Sequence, residues 1–133
     1  MASTTTQLQE MGVFLIRSLD GSKKLIDKIS QAQDGGEIQY KDGQKVPLRV
    51  SHNLSAQLFC NGFVVVRNTR ENAQVLIEHW QEALAFEKLV VLFIDEKSGN
   101  KWLLRPHIHE KIAEPKTLAQ GLMTLYEHSM GKN

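Results

Sequence analysis

His107, His109 and Glu110 are the residues whose types and spacing come nearest to a chemical site. In an extended segment, residues two apart point to one side, so both imidazoles can reach a single metal ion. Glu110 beside them can ligate the ion or exchange protons. A further ligand has to come from elsewhere, from His52, His79, His128, Asp95 or Glu114, because no His-Glu-x-x-His helix or cysteine pair is present. An unperturbed histidine pair also titrates just below neutral pH. The plain alternative is a polar exit strand carrying two solvated histidines.

Arg67-Asn68-Thr69-Arg70 is the second candidate. It falls where a strand gives way to a helix, and a helix N-terminus offers free N–H groups and a partial positive charge. Arg67 and Arg70 flanking it make an anion site, or else a capping turn with two solvated arginines. Neither the glycine-rich phosphate loop nor the dinucleotide-binding glycines accompany it. A third group, Lys23, Lys24, Lys28, Lys41, Lys45 and Arg49 with Tyr40 for stacking, would suit nucleic acid. Acidic residues are interleaved through the chain, and no nucleic-acid-binding motif supports that reading. Cys60 is the single cysteine, which excludes an intramolecular disulfide and reads as a buried small hydrophobe. No Gly-x-Ser-x-Gly elbow marks a nucleophile, so no catalytic residue and no cofactor is assigned.

The bulk properties narrow the classes. The 133 residues suit one domain, 1–133, able to bury a core without metal or disulfide. Sixteen basic against fifteen acidic residues give a net charge of +1, too little to attract nucleic acid or an anionic membrane by field alone. The polar start Met1–Gln7 lacks an apolar core, and no apolar run approaches the ~18 residues of a membrane span. A cytoplasmic protein with no membrane partner is the expectation.

The elements that must position these residues follow from periodicity. Leu8, Met11, Leu15 and Leu19 predict a helix over 6–19, with Thr6 and Gln9 spaced as a capping box. Leu25, Ile26 and Ile29 predict a second short helix over 23–32, ended by Asp34-Gly35-Gly36. A three-residue loop, Lys41-Asp42-Gly43, puts Ile38 opposite Val46 and unites two apolar sets; Gly43 is then the left-handed residue of a type I turn. Pro47 predicts an edge position or a bulge in the strand Val46–Val50. A third strand is expected over 57–67, with Phe63-Val64-Val65-Val66 continuous enough for burial on both faces. A long helix over 70–86, capped by Asn68 or Thr69, buries Ala73, Leu76, Ile77, Trp80, Ala83 and Leu84. Strands 89–94 and 101–105 form a hairpin with Phe93 against Trp102 and Val91 against Leu104. A last helix spans 116–130, on a stripe of Leu118, Leu122, Leu125 and Tyr126.

The resulting fold class is α+β, a two-layer sandwich of a mostly antiparallel five-stranded sheet with helices on one face, in the order α-α-β-β-β-α-β-β-α. That order resembles the dimeric chaperones of type III secretion, a likeness that covers most of the chain and implies dimerisation and binding of extended client segments. Those chaperones are usually acidic, whereas this chain is near neutral; folds of the roadblock type have similar orders. Apolar residues also exceed what one face per helix requires. Val13, Phe14 and Ile16 on the first helix, with Val75, His79 and Phe86 on the middle one, are the candidate partner-binding residues. The expected function is therefore a non-enzymatic protein-binding or adaptor domain, chaperone-like and homodimeric, using those flanks and the edge at Val46–Val50. A small metal-assisted or acid/base enzyme centred on His107, His109 and Glu110 is the alternative, and a nucleic-acid binder the third.

Overall fold

The computed structural model describes residues 6–32, 35–107, 121–124, 126 and 127. Helix α1 (Thr6–Asp20) and a 3-10 turn (Gly21–Lys23) lead into strands β1 (Ile26–Ala32), β2 (Gly35–Tyr40) and β3 (Lys45–Val50). An irregular crossover holding a second 3-10 turn (Ala56–Leu58) reaches β4 (Phe63–Arg67). Helices α2 (Arg70–Glu78) and α3 (Trp80–Leu84) lead to β5 (Val90–Ile94) and β6 (Lys101–Leu104). Residues 121–124, 126 and 127 are helical. The fold is α+β, built on one six-stranded mixed sheet whose strands stand in chain order.

Both expected hairpin registers are present. Ile38 pairs with Val46, Tyr40 N–H donates to the Gln44 carbonyl at 2.8 Å, and Gly43 takes a positive φ of 92°. Val91 pairs with Leu104, and the Phe93 and Trp102 rings stack at 4.3 Å between centroids, 9° from parallel.

The architecture differs from the expected two layers in three ways. First, residues 26–32 are a strand and not a helix, so the order after α1 is four strands, two helices and two strands. The order that likened the chain to the secretion chaperones is therefore absent. Second, β3 pairs with β4, and β4 with β5, in parallel. Third, helices cover both faces. Val65, Leu92 and Ile94 share a core with Leu8, Val13 and Ile16 of α1, whereas Val64, Val66, Val91 and Phe93 pack with Leu76, Trp80, Ala83 and Leu122. Alternate residues of β4 and β5 thus enter opposite cores, and all five residues of β5 are buried. Each fully buried aliphatic side chain here contributes roughly 1.5–3 kcal/mol.

Pro47 does not mark an edge, because β3 lies between β2 and β4. Counting from the hydrogen-bonded Tyr40–Gln44 pair, Pro47 falls opposite Glu37 at a position where no N–H is required on the β2 side. On the other side, pairing to β4 starts only at Leu48. Among the described residues the edges of the sheet are β1 and β6. Gly12 lets α1 lie close on the sheet, since a Cβ there would sit 2.7 Å from a methyl of Val65. Gln9, expected in a capping box, is buried instead. Its Oε1 accepts from Gly35 N–H at 2.9 Å and its Nε2 donates to the Ala32 carbonyl at 3.1 Å, tying α1 to the β1–β2 connection.

Candidate functional site

Two surfaces carry the candidate residues, and both follow from the sheet order. Parallel β4 and β5 end side by side at Arg67 and Ile94, and α2 begins three residues after β4 closes. Ligands in open sheets seat outside the carboxyl ends of such strands. A cleft of about 890 Å³ opens there, lined by Arg67, Thr69, Arg70, Asp95, Lys97 and Tyr126 among others. Thr69 is the helix cap: its Oγ1 accepts from Asn72 N–H at 3.1 Å. Asn68, the other expected cap, is buried and accepts from Trp102 Nε1 at 2.8 Å.

The structure brings Arg67 and Arg70 into this one cleft, but each is engaged. Arg67 Nε donates to Glu96 Oε1 at 2.6 Å, and the Arg70 guanidinium stands 5.8 Å from the centre of the Tyr126 ring. Asp95 receives hydrogen bonds from Ser98 Oγ at 2.9 Å and Lys97 N–H at 3.1 Å. These hold its carboxyl below the usual carboxylate range, the Ser98 hydroxyl being the larger cause. Arg67, Arg70 and Lys97 face Glu71, Asp95 and Glu96 around the opening, so the cleft has no large field of either sign.

The residue that sequence reasoning missed is Asn72. It is 3% exposed, and its side chain binds three backbone groups: Leu54 N–H, and the His52 and Arg67 carbonyls, each at 2.8 Å. It fastens the crossover before β4 to the strand end that carries Arg67. An asparagine in the first turn of a helix signals capping in general, and nothing local marks these distant partners.

The second surface is the outer side of α1. Val13 and Ile16 are not on it; they are core residues, the latter 1% exposed, because the helix lies flat on β4 and β5. Phe14 points the other way and is 72% exposed. It stands at the mouth of a chiefly apolar groove of about 360 Å³, formed by Met11, Leu15 and Ile94 and rimmed by Glu10, Gly99 and Lys101. Val75, His79 and Phe86 are half-buried on the opposite face of the sheet, beside the second core. The six expected contact residues therefore do not form one surface. His79 separates α2 from α3, where one long helix was expected, and its Nδ1 is hydrogen-bonded to the Glu82 carboxylate.

The remaining candidates are dispersed. His107 is half-buried, and its buried Nδ1 has no hydrogen-bond partner among the described residues. His109 and Glu110 lie outside the described residues, as does most of the expected last helix. Among the described residues no three histidine, cysteine or acidic side chains are grouped as metal ligands. Lys28, Gln39 and Lys45 form one cross-strand row, with Glu37 in the next and Arg49 in the third. Arg49 Nη1 donates to the Gln57 carbonyl at 3.0 Å. Tyr40 packs against the α1 core, so it does not join these cations as a stacking platform. Cys60 is buried, and burial pushes its thiol up. No helix among the described residues is long and apolar enough to cross a membrane. The chain matches no protein-family model, no curated protein and no solved structure.

Proposed function

We propose that this chain is a non-enzymatic, cytoplasmic protein-binding domain that docks its partner, another protein or a second copy of itself, on the outer side of α1. The observation that carries the reading is Phe14. A phenylalanine 72% exposed beside an apolar groove leaves a large ring in water, and an apolar feature rimmed by Glu10 and Lys101 is the pattern of a contact site. Phe14→Asp tests it. The ring is mostly exposed and is not part of either buried core, so the variant keeps the thermal stability of the parent while its complex with the partner is lost. A complex that forms equally well with Asp at position 14 overturns the reading.

A second reading rests on the cleft. Two arginines, a capped helix start and paired parallel strand ends support binding of a small anion, with Arg70 turning from Tyr126 to meet it. Calorimetric titration with inorganic phosphate tests this, alongside Arg70→Gln. Heat of binding that the substitution removes supports it; no heat with the parent chain rejects it.

A further inference from the structure

The outer side of α1 also identifies which partner fits. Along that side, Glu10, Phe14 and Arg17 are exposed and fall at helical spacing, an acid one turn before the ring and a base one turn after it. Neither Glu10 nor Arg17 belongs to an ion pair among the described residues. We infer that two copies of this chain pair through α1, antiparallel about a two-fold axis near Phe14, each ring entering the other copy's Met11–Leu15–Ile94 groove. This rests on the reading of α1 as the docking side.

The charges choose the partner and its direction. In an antiparallel pair centred between residues 13 and 14, Glu10 of one copy meets Arg17 of the other, and the two-fold repeats the match. In a parallel pair, acid meets acid and base meets base, which repel. An unrelated partner would need its own copy of this acid–aromatic–base order, whereas a second copy of the chain supplies it by symmetry. Shape agrees with charge. Knob and groove lie on the same surface, side by side, as a self-complementary interface requires, and a groove of about 360 Å³ has room for a phenyl ring.

Sedimentation equilibrium of the full chain tests this, on the parent and on Phe14→Asp, Glu10→Lys, Arg17→Glu and the double exchange Glu10→Lys/Arg17→Glu. The parent is expected to be a dimer. Phe14→Asp removes two buried rings per dimer and raises Kd by on the order of 100-fold or more. Each single charge reversal turns two attractive pairs into repulsive ones and weakens the dimer roughly tenfold at low salt, less at high salt. The double exchange restores the parent's affinity, an outcome that surface charge alone does not produce. Thermal melts of the monomeric variants that match the parent show that the fold is intact.

A parent chain that stays monomeric at high concentration overturns the inference. If Phe14→Asp still abolishes a complex with a different protein, the docking reading survives without self-pairing. A dimer that Phe14→Asp leaves intact overturns both. A dimer that the double exchange fails to restore rejects the antiparallel arrangement.

Discussion

Asn72→Ala isolates the contact that holds the crossover and the strand end together. The substitution deletes three hydrogen bonds, from Leu54 N–H and to the His52 and Arg67 carbonyls. A hydrogen bond contributes about 1 kcal/mol net, and a buried group left unsatisfied costs about 1–3 kcal/mol. The bond from Leu54 N–H is buried and takes the larger figure; the two carbonyl partners are part-buried and take the smaller. The sum is about 3–5 kcal/mol, or a fall in Tm of roughly 10–20 °C for a chain of this size. Urea unfolding read at unchanged slope measures it directly. A loss under about 1 kcal/mol refutes the role assigned to Asn72.

Asn72→Asp sharpens the same test. Asp retains the acceptor for Leu54 N–H but turns the donor nitrogen into an oxygen facing two carbonyls. Ionisation is thereby opposed, and the folded carboxyl pKa rises above its unfolded value. A group raised in this way contributes most below its unfolded pKa and loses that contribution as pH rises through the folded value. The deficit of Asn72→Asp relative to the parent is thus largest near neutral pH and shrinks towards acid. A deficit that is flat with pH, or that grows on acidification, refutes the donor assignment.

Three further outcomes follow from the described contacts. Trp102→Phe keeps the stack on Phe93 and loses the hydrogen bond to Asn68, for about 1 kcal/mol, whereas Trp102→Ala loses both, for about 3 kcal/mol or more; paired urea titrations separate the two. Burial raises the Cys60 thiol, so that above the ordinary thiol range the unfolded chain ionises first and this contribution to stability falls as pH rises. Alkylation of Cys60 in the native protein is accordingly slow and accelerates with denaturant. Ser98→Ala removes the main group holding the Asp95 carboxyl down, so its titration, followed by carbon NMR, moves up towards the ordinary value. In the parent, the contribution of Asp95 is present above the ordinary carboxylate range and lost as pH falls through the depressed value.

Where turn chemistry set the register, the sequence could be read. Asp42-Gly43 and Ser98-Gly99 close loops whose lengths force Ile38 onto Val46 and Phe93 onto Trp102, and both pairs are present. β1 was misread for a physical reason. A bulge between Ile26 and Lys28 inserts Asp27 as an extra residue, so Ile26 and Ile29 share a face at a spacing of three. That spacing imitates a helix. Gly35-Gly36, read as a helix end, lies in β2 at φ of 148° and 154°, where a Cβ would meet the Leu48 and Ser30 carbonyl oxygens at 2.2 and 2.0 Å. The three-layer arrangement was legible in principle, since the unbroken runs Phe63–Val66 and Leu89–Ile94 are the pattern of strands covered on both sides. The parallel step from β3 to β4 was not, because an irregular segment makes the crossover where a helix is usual.

Of the candidate sites, the junction Arg67–Arg70 was visible from capping chemistry, and the structure brings both arginines into one cleft. The exposure of Phe14 was not separable in sequence from the burial of Val13 and Ile16. All three are apolar and within one turn, and only the direction in which α1 lies on the sheet divides them.

A photo-reactive phenylalanine analogue at position 14 tests the central claim most directly, because it reports what touches that ring in the native protein. Irradiation of the full chain is predicted to give a covalent adduct to protein, mapped by mass spectrometry to the Met11–Leu15 segment of a second copy. The same analogue at Glu37, on the far face of the sheet, should give none. An unmodified, uncrosslinked chain at position 14, or equal crosslinking at both positions, contradicts the account.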